Sequence, residues 1–107
     1  MIKADFIKKN DYYFGFSIKG HAGFADYGED IVCSAVSALA INTANSIEEL
    51  TDDKFSCDAA ENGDLDFKII SDVSSDSKLL IHSLYIGLTN IEKEYGQKFL
   101  KVCIKEV

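Results

Sequence analysis

The sequence has 107 residues, of which 47% are hydrophobic and 27% charged, and its formal net charge is −7. This length predicts one domain, residues 1–107, with a core of its own. The acidic charge argues against direct nucleic-acid binding, because a negative surface repels phosphate. The N-terminal residues do not resemble a signal peptide, and the uncharged stretch 31–47 is short for a membrane span. We therefore expect a cytoplasmic protein that does not enter a membrane.

A hairpin followed by a helix is predicted for the first half of the chain. The two strands cover residues 2–8 and 12–19. In the second strand, alternate side chains are predicted to share the inner face, namely Tyr12, Phe14, Phe16 and Ile18. The helix is predicted over residues 31–50. Its apolar face is predicted to comprise Val32, Val36, Leu39, Thr43, Ile47 and Leu50.

The second half of the chain repeats this order and adds a strand. Segments 53–60 and 64–71 form a hairpin around Asn62-Gly63, a strong turn signal. A helix is predicted over residues 77–95, with Gly96 placed to end it. The segment "KFLKVCIKEV" is predicted to be a strand. The order ββαββαβ predicts an α+β fold, with two helices packed on a mixed or antiparallel sheet.

The three cysteines include no C-x-x-C pair, which argues against a disulfide framework and against a zinc site. Free thiols are typical of the cytoplasm, and we expect no metal and no other cofactor. Cys57 alternates with apolar residues and is predicted to lie in the core. Cys103 is predicted to be partly exposed, and His82 to lie on the surface.

The other histidine, His21, and the other cysteine, Cys33, flank a glycine-bearing loop before the first helix. Asp30 is a favourable N-cap, so Cys33 falls in the first turn of the helix, near free backbone N–H groups. These dipoles are expected to lower the pKa of the thiol and to hold the oxyanion of an intermediate. A strand end and the next helix start often meet at one edge of a sheet, so His21, at a strand end, is expected to reach Cys33 and act as base and acid. Asp26, Glu29 or Asp30 could orient its imidazole.

Other readings of these residues stay open at this point. A cysteine near a helix start is more often a packed core residue, Asp30 could be a cap alone, and Ser37 could belong to a stripe of small residues. The same loop would then serve a noncatalytic module that binds a peptide or a ribosomal protein. A metal-dependent hydrolase would require bound metal and sensitivity to chelators.

The segment "GHAGFADYGEDIVCSAVSAL" resembles the signature of the ribosomal-processing cysteine protease (Prp) family. That pattern is roughly G-H-A, a short glycine-bearing loop, and then D-x-V-C-x-A-x-S. The resemblance implies that Cys33 is the nucleophile and His21 the base and acid. It assigns supporting positions to Gly20, Asp30 and Ser37.

The resemblance also implies a substrate and an assembly. Family members remove the N-terminal extension of large-subunit ribosomal protein twenty-seven after a pair of aromatic residues, which supports ribosome assembly. They are generally homodimers. An acidic enzyme suits a basic ribosomal protein as its partner.

Overall fold

The structure is a computed structural model that describes residues 1–26 and 30–107. The order of its elements is the predicted one. The elements are β1 (Ile2–Lys9), β2 (Tyr12–Lys19), α1 (Ile31–Leu50), β3 (Phe55–Ala59), β4 (Leu65–Ile69), α2 (Ser75–Tyr95) and β5 (Leu100–Glu106).

The five strands form one sheet in the order β3-β4-β2-β1-β5. Neighbouring strands are antiparallel, except that β1 and β5 run parallel, so the sheet is mixed. Buried side chains of both helices join those of the strands in one core cluster. The α+β prediction is therefore confirmed, with the helices packed on one face of the sheet.

The pairing of β1 with β2 shifts register between Ile7 and Lys8. Such an irregularity offsets the alternation of side chains beyond it by one residue. Phe16 lies in the core as predicted, but Tyr13, which is 8% exposed, is buried there as well. The prediction that Tyr12 faces inward is therefore wrong, because the alternation was extended across the shift.

The bounds predicted for α1 are confirmed, but its apolar face is rotated from the predicted one. Leu39 and Leu50 are 38% and 68% exposed, so their assignment to the buried face is wrong. The buried side includes the small residues Ala40 and Ala44 in place of Leu39 and Leu50. The buried residues of α1 are Val32, Val36, Ala40, Thr43, Ala44 and Ile47.

The two helices also pack against each other, and Leu39 takes part in that contact. Its Cδ1 atom would lie 3.1 Å from a Cβ atom added to Gly87 of α2. By length and composition alone, α1 could cross a membrane. However, Val32, Val36 and Ile47 are fully buried in the core, and this is the packing of a core helix in a globular domain.

The start of α2 lies two residues earlier than predicted. Ser74 is the N-cap, and its hydroxyl accepts a hydrogen bond from the Ser77 N–H. The N–H and the hydroxyl of Ser74 both donate to Oδ2 of Asp53, at 2.9 and 2.8 Å. Gly96 ends the helix with a positive φ of 99°, as predicted. The bonds between Asp53 and Ser74 join the segment before β3 to the start of α2.

All three cysteines are free thiols, but Cys57 is exposed and its prediction as a core residue is wrong. It pairs with Phe67 across β3 and β4, so it faces the helix side of the sheet. Because β3 is an edge strand, that position lies beyond the cover of the helices. Cys103 is partly exposed and His82 is exposed, as predicted.

Candidate active site

His21 and Cys33 lie in one cleft, between the end of β2 and the start of α1. The Ala22 N–H donates a hydrogen bond to Sγ of Cys33 at 3.1 Å. His21 and Cys33 both line a cavity of about 400 Å³ and a smaller one of about 100 Å³. The structure therefore brings the predicted base and nucleophile together, with the histidine exposed and the cysteine half-buried.

The predicted supporting residues surround the same cleft. Asp30 and Ser37 line the larger cavity, and Gly20 lines the smaller one. Ser34 lines the larger cavity as well. In the parts of the chain that the structure describes, no group of three or more His, Cys, Asp or Glu residues could hold a metal ion.

Asp30 joins the start of α1 to the loop that precedes it. Its Oδ1 accepts hydrogen bonds from the N–H groups of Val32 and Cys33, and its Oδ2 accepts one from Phe24, each at 3.0 Å. The predicted N-cap is therefore confirmed. Which carboxylate orients His21 stays a prediction, and Glu29, one of the three candidates, lies outside the described residues.

The Asp30 side chain is ionised although the residue is only 5% exposed. Burial opposes its charge, but the hydrogen bonds from the backbone N–H groups of Cys33 and Phe24 outweigh that cost, so the pKa of Asp30 lies below its ordinary value. A negative charge is thus held beside the cysteine.

The thiol of Cys33 has a raised pKa, so the predicted lowering is wrong. Burial is the largest cause, and the N–H of Ala22 opposes it in part. The charge of Asp30 and a hydrogen bond from the thiol to that carboxylate raise the pKa further. Cys33 is consequently a neutral thiol at pH 7 in this structure.

Three N–H groups at the start of α1 are occupied. Those of Val32 and Cys33 donate to the Asp30 carboxylate, and that of Ser34 donates to the Asp30 carbonyl oxygen at 3.0 Å. These three groups are therefore not free to hold an oxyanion, contrary to the prediction. The N–H of Ala22 is the backbone donor that points at the sulfur.

Gly20 adopts a conformation that only glycine fits easily. Its φ is +90°, and a Cβ atom there would lie 2.6 Å from the carbonyl oxygen of Met1. The N–H of Gly20 donates to Oδ1 of Asp64 at 3.0 Å. Asn62 and Gly63, in the same turn as Asp64, line the smaller cavity with His21.

Sequence reasoning found the turn around Asn62-Gly63 but not its position beside the site. That position depends on the pairing of β2 with β4, which sets Ile18 opposite Leu65. The hydrophobic pattern predicts each strand, but it does not identify which strand pairs with which.

Phe24 anchors the loop after His21 and was also missed. Its ring contacts those of Tyr95 and Phe99, with centroids 5.5 and 5.2 Å away. Tyr95 ends α2 and Phe99 precedes β5. The loop is therefore held from two sides, by this aromatic contact and by the Asp30 carboxylate.

Comparison with known proteins identifies one family. The family model for cysteine protease Prp matches residues 1–100. The ribosomal processing cysteine protease Prp of Bacillus subtilis is 28% identical over 101 residues, which cover 89% of this chain and 90% of that protein. A solved structure of the essential ribosomal processing protease Prp from Staphylococcus aureus, in complex with a covalently linked product peptide, has a TM-score of 0.89 at 27% identity and covers 98% of this chain and 100% of that one. For SMU.848 from Streptococcus mutans the TM-score is 0.83 at 31% identity, with coverage of 100% and 96%.

Proposed function

The chain belongs to the cysteine protease Prp family, and from this membership we propose that it removes the N-terminal extension of large-subunit ribosomal protein twenty-seven, using Cys33 and His21. The observation that carries the catalytic part is the Ala22 N–H bonded to Sγ of Cys33, with His21 lining the same cavities. The substrate rests on the family resemblance. The S. aureus relative, which holds a covalently linked product peptide, supports a covalent intermediate.

In the first step, the neutral Cys33 thiol attacks the scissile carbonyl carbon while His21 takes its proton. The raised pKa of the thiol means that a base must act during the attack. A new S–C bond forms, and the electron pair of the C=O bond moves to the oxygen. The result is a tetrahedral oxyanion and an imidazolium.

In the second step, the C–N bond breaks and His21 gives its proton to the leaving amine. We assign the oxyanion contact to the Ala22 N–H, because the sulfur that it contacts becomes bonded to the reacting carbon. The resulting thioester is attacked by water with His21 as base. The S–C bond then breaks, the acid product leaves, and His21 gives the proton taken from water to the Cys33 sulfur, which restores the thiol.

A further cavity extends from the cleft along α1 and supports peptide binding. Its volume is about 150 Å³, and Ser37 belongs both to it and to the larger cavity. Its apolar lining suits an apolar side chain of a bound peptide. The residues that line it are Ile18, Ser37, Ala40, Ile41, Ala59, Ala60, Gly63, Asp64 and Leu65.

Mass spectrometry of a peptide that spans the extension tests this proposal. Wild-type protein is expected to make one cut, after the aromatic pair, and His21→Ala and Cys33→Ala are expected to make none. If folded, reduced wild type binds the peptide without cutting it, the noncatalytic binding module is correct instead. Cleavage that survives in His21→Ala would show that another group is the base.

We further propose a homodimer, as the family resemblance implies, and a cytoplasmic location, with which the free thiols are consistent. Large apolar side chains are exposed on both helices, including Ile31, Ile41 and Ile86, and a subunit contact would remove such surface from water. Light scattering after size-exclusion chromatography is expected to give twice the chain mass of 11.8 kDa. A single chain mass at assay concentrations would exclude the dimer as the active form.

A further inference from the structure

A carboxylate on the second hairpin holds the backbone just before His21. Oδ1 of Asp64 accepts the N–H of Gly20 at 3.0 Å, across 44 residues of sequence. No step of the proposed reaction uses Asp64, and its side chain contacts the residue adjacent to the proposed base. The turn that carries it also reaches the site, since Asn62 and Gly63 line a cavity with His21 and Cys33.

The residue after His21 is held as well. The N–H of Ala22 donates to the sulfur of Cys33 at 3.1 Å, and Ala22 is buried. His21 therefore lies between two fixed backbone groups, one bonded to Asp64 and one to the nucleophile. These two bonds restrain the backbone on either side of His21.

Asp64 can act as a fixed point because its own turn is closed by hydrogen bonds. Its carbonyl oxygen accepts the Ala60 N–H at 2.8 Å, and its N–H donates to Oδ1 of Asn62 at 3.0 Å. The Gly63 N–H donates to the Ala60 carbonyl oxygen at 3.0 Å. The backbone that carries the carboxylate is thus held by the turn.

Gly20 needs an external restraint more than other residues do. Glycine enters many backbone conformations at little cost, and Gly20 holds a φ of +90°. Without the carboxylate, the segment between the end of β2 and His21 would sample other directions. Proton transfer requires the imidazole at hydrogen-bond distance from the sulfur, so that sampling slows the reaction.

We propose that Asp64 is a positioning residue for His21, which it places through the Gly20 N–H. This inference rests on the proposed function, in which His21 is the base. It assigns Asp64 no proton. Asp64 also lines the apolar cavity along α1, but the role proposed here is its hydrogen bond from Gly20 and not a contact with the substrate. Its effect is on the rate of the chemical step, since it keeps the base where transfer occurs.

Three variants, assayed with the extension peptide, separate this role from general effects. Asp64→Ala removes the acceptor, and kcat is expected to fall about tenfold with KM nearly unchanged, because a misplaced group slows chemistry more than binding. Asp64→Asn keeps an Oδ1 acceptor and is expected to restore kcat to within about threefold of wild type. Asp66→Ala is the matched control: it removes a carboxylate from β4 whose ion pair with Lys19, at 3.6 Å, is exposed, and kcat is expected to be unchanged.

The outcomes that overturn the proposal are specific. They are wild-type kcat in Asp64→Ala, an equal loss in Asp64→Asn, or an equal loss in Asp66→Ala. Thermal unfolding of each variant shows whether the rates belong to folded protein.

A second readout does not depend on proteolysis. The rate of iodoacetamide reaction with Cys33 against pH is compared for wild type and His21→Ala, in a background with Cys57 and Cys103 replaced by alanine. The difference between the two profiles is the contribution of His21, and Asp64→Ala is expected to lose most of it. If wild type fails to cleave the peptide, the substrate proposal fails, and this profile alone decides the role of Asp64. An Asp64→Ala profile equal to that of wild type overturns it.

Discussion

The substitution Cys33→Ala is expected to reduce kcat/KM for the extension peptide by at least about 10⁴-fold, because removal of a nucleophile eliminates the covalent pathway. No other thiol can replace it, since neither Cys57 nor Cys103 lines the cleft with His21. The measurement is a steady-state assay with long incubation, so that small residual rates are detected. Binding of the peptide to Cys33→Ala should be retained, which isothermal titration can check.

The matched control for this experiment is Cys57→Ala. Cys57 is exposed on the edge strand β3, so its replacement should leave both kcat and KM unchanged. The free energy of unfolding of Cys33→Ala should stay within about 1 kcal/mol of wild type, because the half-buried thiol is small. Cleavage by Cys33→Ala at the wild-type rate would exclude the proposed mechanism.

The substitution Asp30→Ala is expected to lower the free energy of unfolding by about 2 kcal/mol at pH 7. The change removes an N-cap and three hydrogen bonds accepted by a buried carboxylate. Cleavage should fall too, since the loop after His21 loses the hydrogen bond from the Phe24 N–H to Asp30. The free energy of unfolding is measured by urea denaturation, with circular dichroism as the signal.

The pH dependence of this effect has a defined direction. Because the pKa of Asp30 is lower in the folded protein than in the unfolded chain, its ionised form stabilises the fold above the unfolded-state pKa of about 4. That contribution is lost as the pH falls through the lower, folded-state pKa. The difference between wild type and Asp30→Ala should therefore be full at pH 7 and should shrink as the pH falls below about 4. A difference that grows with acid would contradict this assignment.

Asp30→Asn separates the capping role from the charge. Asparagine is a good N-cap, so α1 should lose less stability than with alanine. Removal of the negative charge takes away one cause of the raised Cys33 pKa, and thiol alkylation at pH 8 should become faster than in wild type. Alkylation that is no faster would show that the Asp30 charge does not raise the Cys33 pKa.

Local signals in the sequence predicted the elements well. The bounds of α1 follow from an N-cap at Asp30 and an apolar period after it, and the end of α2 follows from Gly96. The facing of side chains was less predictable. Tyr12 was misassigned because a register shift leaves no mark in an alternating pattern, and Cys57 because the sequence does not show which strand lies at the edge.

The residues of the site could be predicted from the sequence, but the direction of the thiol pKa shift could not. His21 and Cys33 were identified from a short motif, and they share a cleft. The prediction of a lowered thiol pKa considered only the backbone N–H groups near Cys33 at the start of α1. It did not count the capping carboxylate, which both occupies those groups and adds a negative charge. Asp64 was beyond reach because its contact with Gly20 depends on strand order.

The parallel pairing of β1 with β5 has a consequence for synthesis. It sets Ile2 opposite Leu100, and long-range contacts of this kind form slowly because much chain must be ordered first. A chain emerging from the ribosome exposes its N-terminal part first. His21 and Cys33 are therefore made early, while β1 lacks one of its two neighbours until the seven residues of β5 have been added. On the ribosome, the reactive residues precede the completed sheet that supports them.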